Sequence, residues 1–228
     1  MRIAVIGAQN TGKTTLVKTF LNFWPSYTTP EKTYREFATE NKLTLNEEGT
    51  VESQKQVRDF LVDAALENAG KSKTIHDRCA IDNLVYTLWL VEKKKLEGTD
   101  AEIDEFVTTS ILLVKEAMKF YDIIFWLPAN PNIPLVKDGL RSVDPAFREE
   151  IDNIFNGVYE LYKANTGLLF DKENQPAFIV LEGETYQQIA TIKEYINDDG
   201  ELIETTSSVL GDLEAVYDEA ALRRQIAQ

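Results

Sequence analysis

Residues 2–15, RIAVIGAQNTGKTT, decide how the chain is read. RIAVI is short, apolar and rich in β-branched side chains, which predicts a buried strand. Beyond the loop, Leu16, Val17 and Phe20 return at helical spacing. Between strand and helix, GAQNTGKT at 7–14 fits G-x-x-x-x-G-K-[ST] at every fixed position. Gly7 and Gly12 permit turns that present successive backbone N–H groups to anionic oxygens, with Ala8, Gln9, Asn10 and Thr11 as the intervening binding positions. The helix N-terminus adds its dipole. Lys13 is placed to reach the β and γ phosphates, Thr14 to coordinate Mg²⁺ through its hydroxyl, and Thr15 to add a phosphate contact. The stretch predicts a loop that grips ATP or GTP. Switches, motors and kinases share such a loop, so the choice among them rests on other residues.

The sequence has 228 residues, which suits one substantial domain with a small appendage. Hydrophobic residues make up 43%, with 11 Phe, 9 Tyr and 3 Trp to fill an interior, so a packed core is expected. Acidic residues outnumber basic ones by 38 to 24, a formal net charge of -14. Such a surface repels polyanions and counts against general nucleic-acid binding, although a local basic cleft can still hold one phosphate or one strand end. The lone cysteine, Cys79, excludes an intrachain disulfide and a cysteine-based zinc cluster. No apolar run approaches the roughly 20 residues of a membrane span, and RIAVI is followed by a polar loop instead of a cleavage site. A cytoplasmic protein is the expectation.

Outward from the loop, short apolar strands alternate with longer helices. Strands are predicted near 27–29, 73–77, 123–127 and 177–181, and helices near 50–69, 77–94, 101–119, 144–165 and 186–196. The run at 123–127 is almost continuously apolar, as in a central parallel strand covered on both faces. The pattern predicts a three-layer α/β/α fold with a mainly parallel sheet. Its expected extent is 1–197, with a flap near 130–150. Residues 198–228 read as a polar linker and a final helix packed on the same domain, with Leu210, Leu213, Val216, Tyr217 and Leu222 on one face. That helix either seals the domain or makes a dimer contact, which leaves monomer and homodimer both open.

Three further segments carry candidate chemistry. HDR at 76–78 puts Asp77 at the end of a strand beside the loop, where a carboxylate orients Mg²⁺ or accepts the proton of an attacking hydroxyl. Arg78 is suited to neutralising a transferred phosphoryl group; the plain alternative is a helix-capping Asp beside a surface arginine. In TTPEKTYREF at 28–37, Glu31 is a candidate base, Tyr34 a stacking ring and Arg35 an anion contact, all at the sheet edge where ligands bind in open α/β folds. In KDGLRSVDPAFREE at 137–150, Arg141 and Arg148 suit a flap that closes on polyphosphate and excludes water. Ordinary pairing with Glu149, Glu150 or Asp152 is the alternative for these arginines.

Taken together, GAQNTGKTT at 7–15, PEKTYREF at 30–37, HDRCAIDNLVYTLW at 76–89, NIPLVKDGLRSVDPAFREEIDNIF at 132–155 and FIVLEGETYQQIATI at 178–192 resemble a P-loop kinase-like family. That family includes the ribosylnicotinamide kinase domain of bacterial NadR proteins, within an AAA-labelled group of small ATPases. Asp77-Arg78-Cys79 is also similar to the D-R-S element of thymidylate and deoxynucleoside kinases, with cysteine in place of serine. The resemblance spans about 1–195 and implies a nucleoside- or nucleotide-kinase-like fold. The double activity of NadR is not part of the expectation, and small phage kinases are compatible with the resemblance.

The expected function is Mg²⁺-dependent transfer of a phosphoryl group from ATP to a nucleoside, nucleotide or related small acceptor. Lys13, Asp77, Arg78, Arg141, Glu31 and Arg148 are its candidate catalytic residues, with Thr14 and Asp77 as metal ligands. A kinase acting on a polynucleotide or modified DNA base and a regulatory NTPase are the alternatives. Against the latter, no N-K-x-D guanine-reading element is present.

Overall fold

Why the loop at 7–14 sits where it does follows from the sheet. In the computed structural model, which describes residues 1–67, 69–136 and 142–203, four strands lie parallel. They are β1 (Arg2–Ile6), β2 (Thr74–Asp77), β3 (Ile123–Trp126) and β4 (Ala177–Val180), in the order β2-β1-β3-β4. Register is fixed by pairs such as Val5 with Asp77 and Ile6 with Trp126, so β1, β2 and β3 all end at one edge.

The strand side chains alternate between two cores, as the period of two requires. Ile3, Val5, Ile123 and Phe125 pack against helices α1 (Lys13–Phe23) and α7 (Thr185–Ile192). Ala4, Ile6, Ile124 and Trp126 meet the opposite layer. That layer is built from α3 (Val51–Glu67), α4 (Ala80–Glu92), α5 (Asp100–Met118) and α6 (Pro145–Lys163). The three-layer expectation therefore holds, and the apolar stripes fall inward: Leu16, Val17 and Phe20 on α1, Phe147, Ile151, Phe155 and Val158 on α6.

Two differences from the sequence reading lie at 26–40. The strand expected near 27–29 is reduced to one parallel bridge between Thr28 and Thr74. Thr28 N–H donates to the Lys73 carbonyl and its own carbonyl accepts from Ile75 N–H, both at 2.9 Å. The next residue in register is Pro30, which has no N–H to continue the ladder. Residues Tyr34–Glu40, unassigned from sequence, form helix α2. Its start is a capping box in which Glu36 N–H donates to the Thr33 hydroxyl and Thr33 N–H to the Glu36 carboxylate.

After α7 the chain returns to α1. Trp24 Nε1 donates to the Asn197 carbonyl at 2.7 Å, and the Tyr27 hydroxyl to that of Gly200 at 2.8 Å. Part of the expected linker is thus anchored. The expected helix at 210–222, with the rest of 204–228, lies outside the described residues, as does Arg141.

Candidate active site

The backbone of the loop is held in conformations that most residues avoid. Gly7 has φ 144° and Gly12, which caps α1, has φ 91°. A Cβ at Gly7 would run into the Leu127 carbonyl, so only glycine fits. Lys13 is buried, and its ammonium donates to the carbonyls of Gly7 at 2.7 Å and Ala8 at 2.5 Å and to the Thr11 hydroxyl at 3.2 Å. Thr11 in turn donates to the Ala8 carbonyl. Asn10 Nδ2 reaches the Ser142 carbonyl at 3.4 Å, tying the loop to the segment that leads into α6.

Where β2 ends, the Asp77 carboxylate accepts a 2.5 Å hydrogen bond from the Thr14 hydroxyl. Asp77 and Arg78 join residues 10–15, Thr33, Tyr34 and Arg35 around one cavity of about 130 Å³. The structure thus brings together Lys13, Thr14, Thr15, Asp77 and Arg78, with Tyr34 and Arg35 from α2. It does not bring Glu31 there: Glu31 is exposed and lines a separate groove with Phe37 and Asp59. Arg148, buried at the start of α6, donates to the Ile133 carbonyl at 3.0 Å. The side chain of Ile133 lies near Gly12, so Arg148 reaches the loop through that contact.

Arg78 links this cavity to a second, smaller one. Its guanidinium donates to the buried Asp82 carboxylate at 2.9 Å and stacks on Tyr34 and Tyr86, 5.2 and 5.6 Å from the ring centroids. Burial acts against its charge, yet Tyr86, Asp82, Tyr34 and Asp77 outweigh that and keep it protonated. Burial pushes the Asp82 carboxyl up, with Arg78 pulling the other way, and raises the Tyr34 phenol to about 12. Burial likewise pushes the Cys79 thiol up, which makes it a packing residue and not a nucleophile.

The second cavity is lined by Gln54 and Asn83 as well as Tyr34, Arg78, Asp82 and Tyr86. Asn83 Nδ2 donates to Gln54 Oε1 at 2.8 Å, and the Thr87 hydroxyl donates to the same oxygen at 3.2 Å. Asn83 Oδ1 and Gln9 Nε2 are buried without a partner among the described residues. Buried amides in that state are suited to a polar ligand edge. The sequence reading missed Gln54, Asn83 and Tyr86. A signal existed in Asp82, Asn83 and Thr87, which interrupt a helix whose apolar stripe is otherwise regular.

Comparison with solved structures gives the same architecture. NadR protein in complex with NR superposes with a TM-score of 0.61 at 20% identity, covering 90% of this chain and 53% of that one, so the chain spans about half its length. Deoxyadenosine kinase from M. mycoides with dCMP and dCDP gives 0.62 at 15% identity over 85% of this chain and 97% of the kinase. Thymidylate kinase from Candida albicans gives 0.59 at 15% identity over 89% and 94%. No curated protein sequence matches the chain significantly. The sequence profile described as AAA domain matches residues 2–166, and the chain belongs to that AAA domain family.

Proposed function

We propose that the protein is an ATP-dependent kinase that phosphorylates a hydroxyl of a nucleoside or related small acceptor. The observation that carries this reading is the juxtaposition of two cavities. The phosphate loop meets Asp77 on one side, and on the other Arg78 and Tyr34 border a polar recess of about 20 Å³, room for one water, whose Gln54 and Asn83 amides have to part to admit an acceptor. A kinase needs a polar acceptor site beside the phosphate loop, and this recess is placed to become one when the amides part.

The Thr14 hydroxyl and Asp77 carboxylate are hard oxygen donors side by side, a set that suits Mg²⁺, which takes one or two protein ligands plus phosphate oxygens and water. When bound, Mg²⁺ neutralises charge on the β and γ oxygens. Lys13 and the loop amides hold the donor, with Lys13 exchanging loop carbonyls for phosphate oxygens. The acceptor oxygen attacks the γ phosphorus, the bond to the β–γ bridging oxygen breaks, and ADP leaves with that electron pair. The acceptor proton passes to Asp77, while Arg78 steadies the growing charge. Because Asp82 already balances Arg78, an uncharged hydroxyl fits this corner better than an acceptor phosphate. Arg141 is proposed to close over the polyphosphate, and Arg148 to position the loop through Ile133. Glu31→Gln decides whether Glu31 adds anything as a base.

The test is transfer from γ-labelled ATP across nucleosides, nucleoside monophosphates and short DNA, with Lys13→Ala and Gln54→Ala. A labelled nucleoside, lost in Lys13→Ala and formed with an acceptor KM raised about tenfold or more in Gln54→Ala, is the expected result. Label appearing only on DNA ends overturns the small-acceptor reading, and label appearing only as free phosphate overturns the kinase.

A further inference from the structure

A larger cavity, about 290 Å³, adjoins Asp77 between α1, the 29–34 segment, α3 and the end of β2, and the reaction above does not use it. It exists because pairing along β2 stops at Thr28, so that the chain leaves the sheet at Pro30. Val17, Leu21, Pro30, Phe60, Leu61 and Ala64 give it a mostly apolar wall. Two observations mark it as more than a packing defect. His76, only 3% exposed, borders it; Nδ1 faces the Tyr121 hydroxyl at 3.2 Å, and Nε2 is buried with no partner among the described residues. Thr14, Tyr34, Asp77 and Arg78 form walls of both this cavity and the phosphate cavity.

We propose that this cavity is a second ligand site for a neutral heteroaromatic ring bearing one hydrogen-bonding group for His76, and that its occupancy is coupled to nucleotide binding through the shared walls. Apolar walls and limited volume suit a flat one- or two-ring ligand. The charged groups in its wall offset one another: Lys32 is paired with Glu40 and Arg78 with Asp82, which leaves Lys18 and Asp77 as one cation and one anion, so no net charge draws in an anion. Coupling follows because a ligand touching Thr14 and Arg78 cannot leave a neighbouring site that uses the same groups unaffected.

Titration calorimetry on the full chain with benzimidazole, using benzoate as the anionic control, tests this. Expected is saturable binding of one benzimidazole and none of benzoate. Ala64→Leu, which fills the cavity from a helical position, weakens benzimidazole at least tenfold, and His76→Phe weakens it severalfold. Saturating benzimidazole shifts ADP affinity about fivefold or more. Leu21→Phe fills the cavity from α1 should Ala64→Leu fail to fold. Absence of binding, binding that survives the filling variant, or an ADP affinity that does not move overturns the proposal. So does displacement of benzimidazole by the phosphoryl acceptor, which makes the cavity part of the acceptor pocket. Every readout is a binding measurement, independent of whether the protein transfers phosphate.

Discussion

Arg78 stands where β2 gives way to α4, with φ 90°, a conformation that costs a non-glycine residue roughly 1–3 kcal/mol. The ion pair with Asp82 and the Tyr34 and Tyr86 rings hold it there. Lysine keeps the charge but loses the planar fork and the stacking, so Arg78→Lys is expected to lower kcat/KM about 100-fold with little loss of melting temperature. Steady-state kinetics beside thermal melts check this. His76 supplies a second prediction. Burial, and secondarily Lys71, lower its imidazole from 6.5 to about 4. Between those values the unfolded chain binds more protons, so stability present above about pH 6.5 is lost as the pH falls. The contribution is about 2 kcal/mol by pH 5, and His76 is the chain's only histidine. Denaturant unfolding at pH 7 and 5 should show that much of the slope vanishing in His76→Phe. At this scale the sequence was legible where a motif fixes spacing, as at Lys13, Thr14 and Asp77. It was opaque at Gln54 and Asn83, because an amide on a helix has the same local pattern whether it faces water or a pocket.

Helix α2 shows how an element was missed although its signal was written out. Thr33-Tyr34-Arg35-Glu36 is a capping box, but the proline and charged residues around it favour a loop reading. The box matters because α2 carries Tyr34 and Arg35 into the phosphate cavity. Thr33→Ala removes the acceptor for Glu36 N–H and is expected to cost about 1 kcal/mol locally. Hydrogen exchange in 34–40 should rise by about a factor of 5 while that in β1 and β3 stays unchanged. The opposite error is a strand at 27–29, expected to end at Pro30, that shrinks to the single Thr28–Thr74 bridge. Elements with long apolar periodicity, α5 and α6 among them, were readable because burial follows directly from spacing.

For the molecule as a whole, alternating strands and helices were enough to predict a layered parallel sheet, since a parallel connection needs a covering crossover. Strand order was beyond reach, for it is decided by which helix packs on which face. That order places the ends of β1 and β2 side by side, and the Thr14 to Asp77 hydrogen bond depends on it. The central claim is that the assembled loop, Asp77 and amide-lined pocket commit ATP to a bound acceptor and not to water. The most direct measurement is the ratio of ADP formed to acceptor phosphorylated, with Mg²⁺, in the wild type and in Asp77→Asn. Expected are one phosphorylated acceptor per ADP, ADP formation that rises strongly with acceptor, and a rate lowered about 100-fold or more in Asp77→Asn. ADP formed at the same rate with and without every acceptor, and still dependent on Lys13, would contradict it.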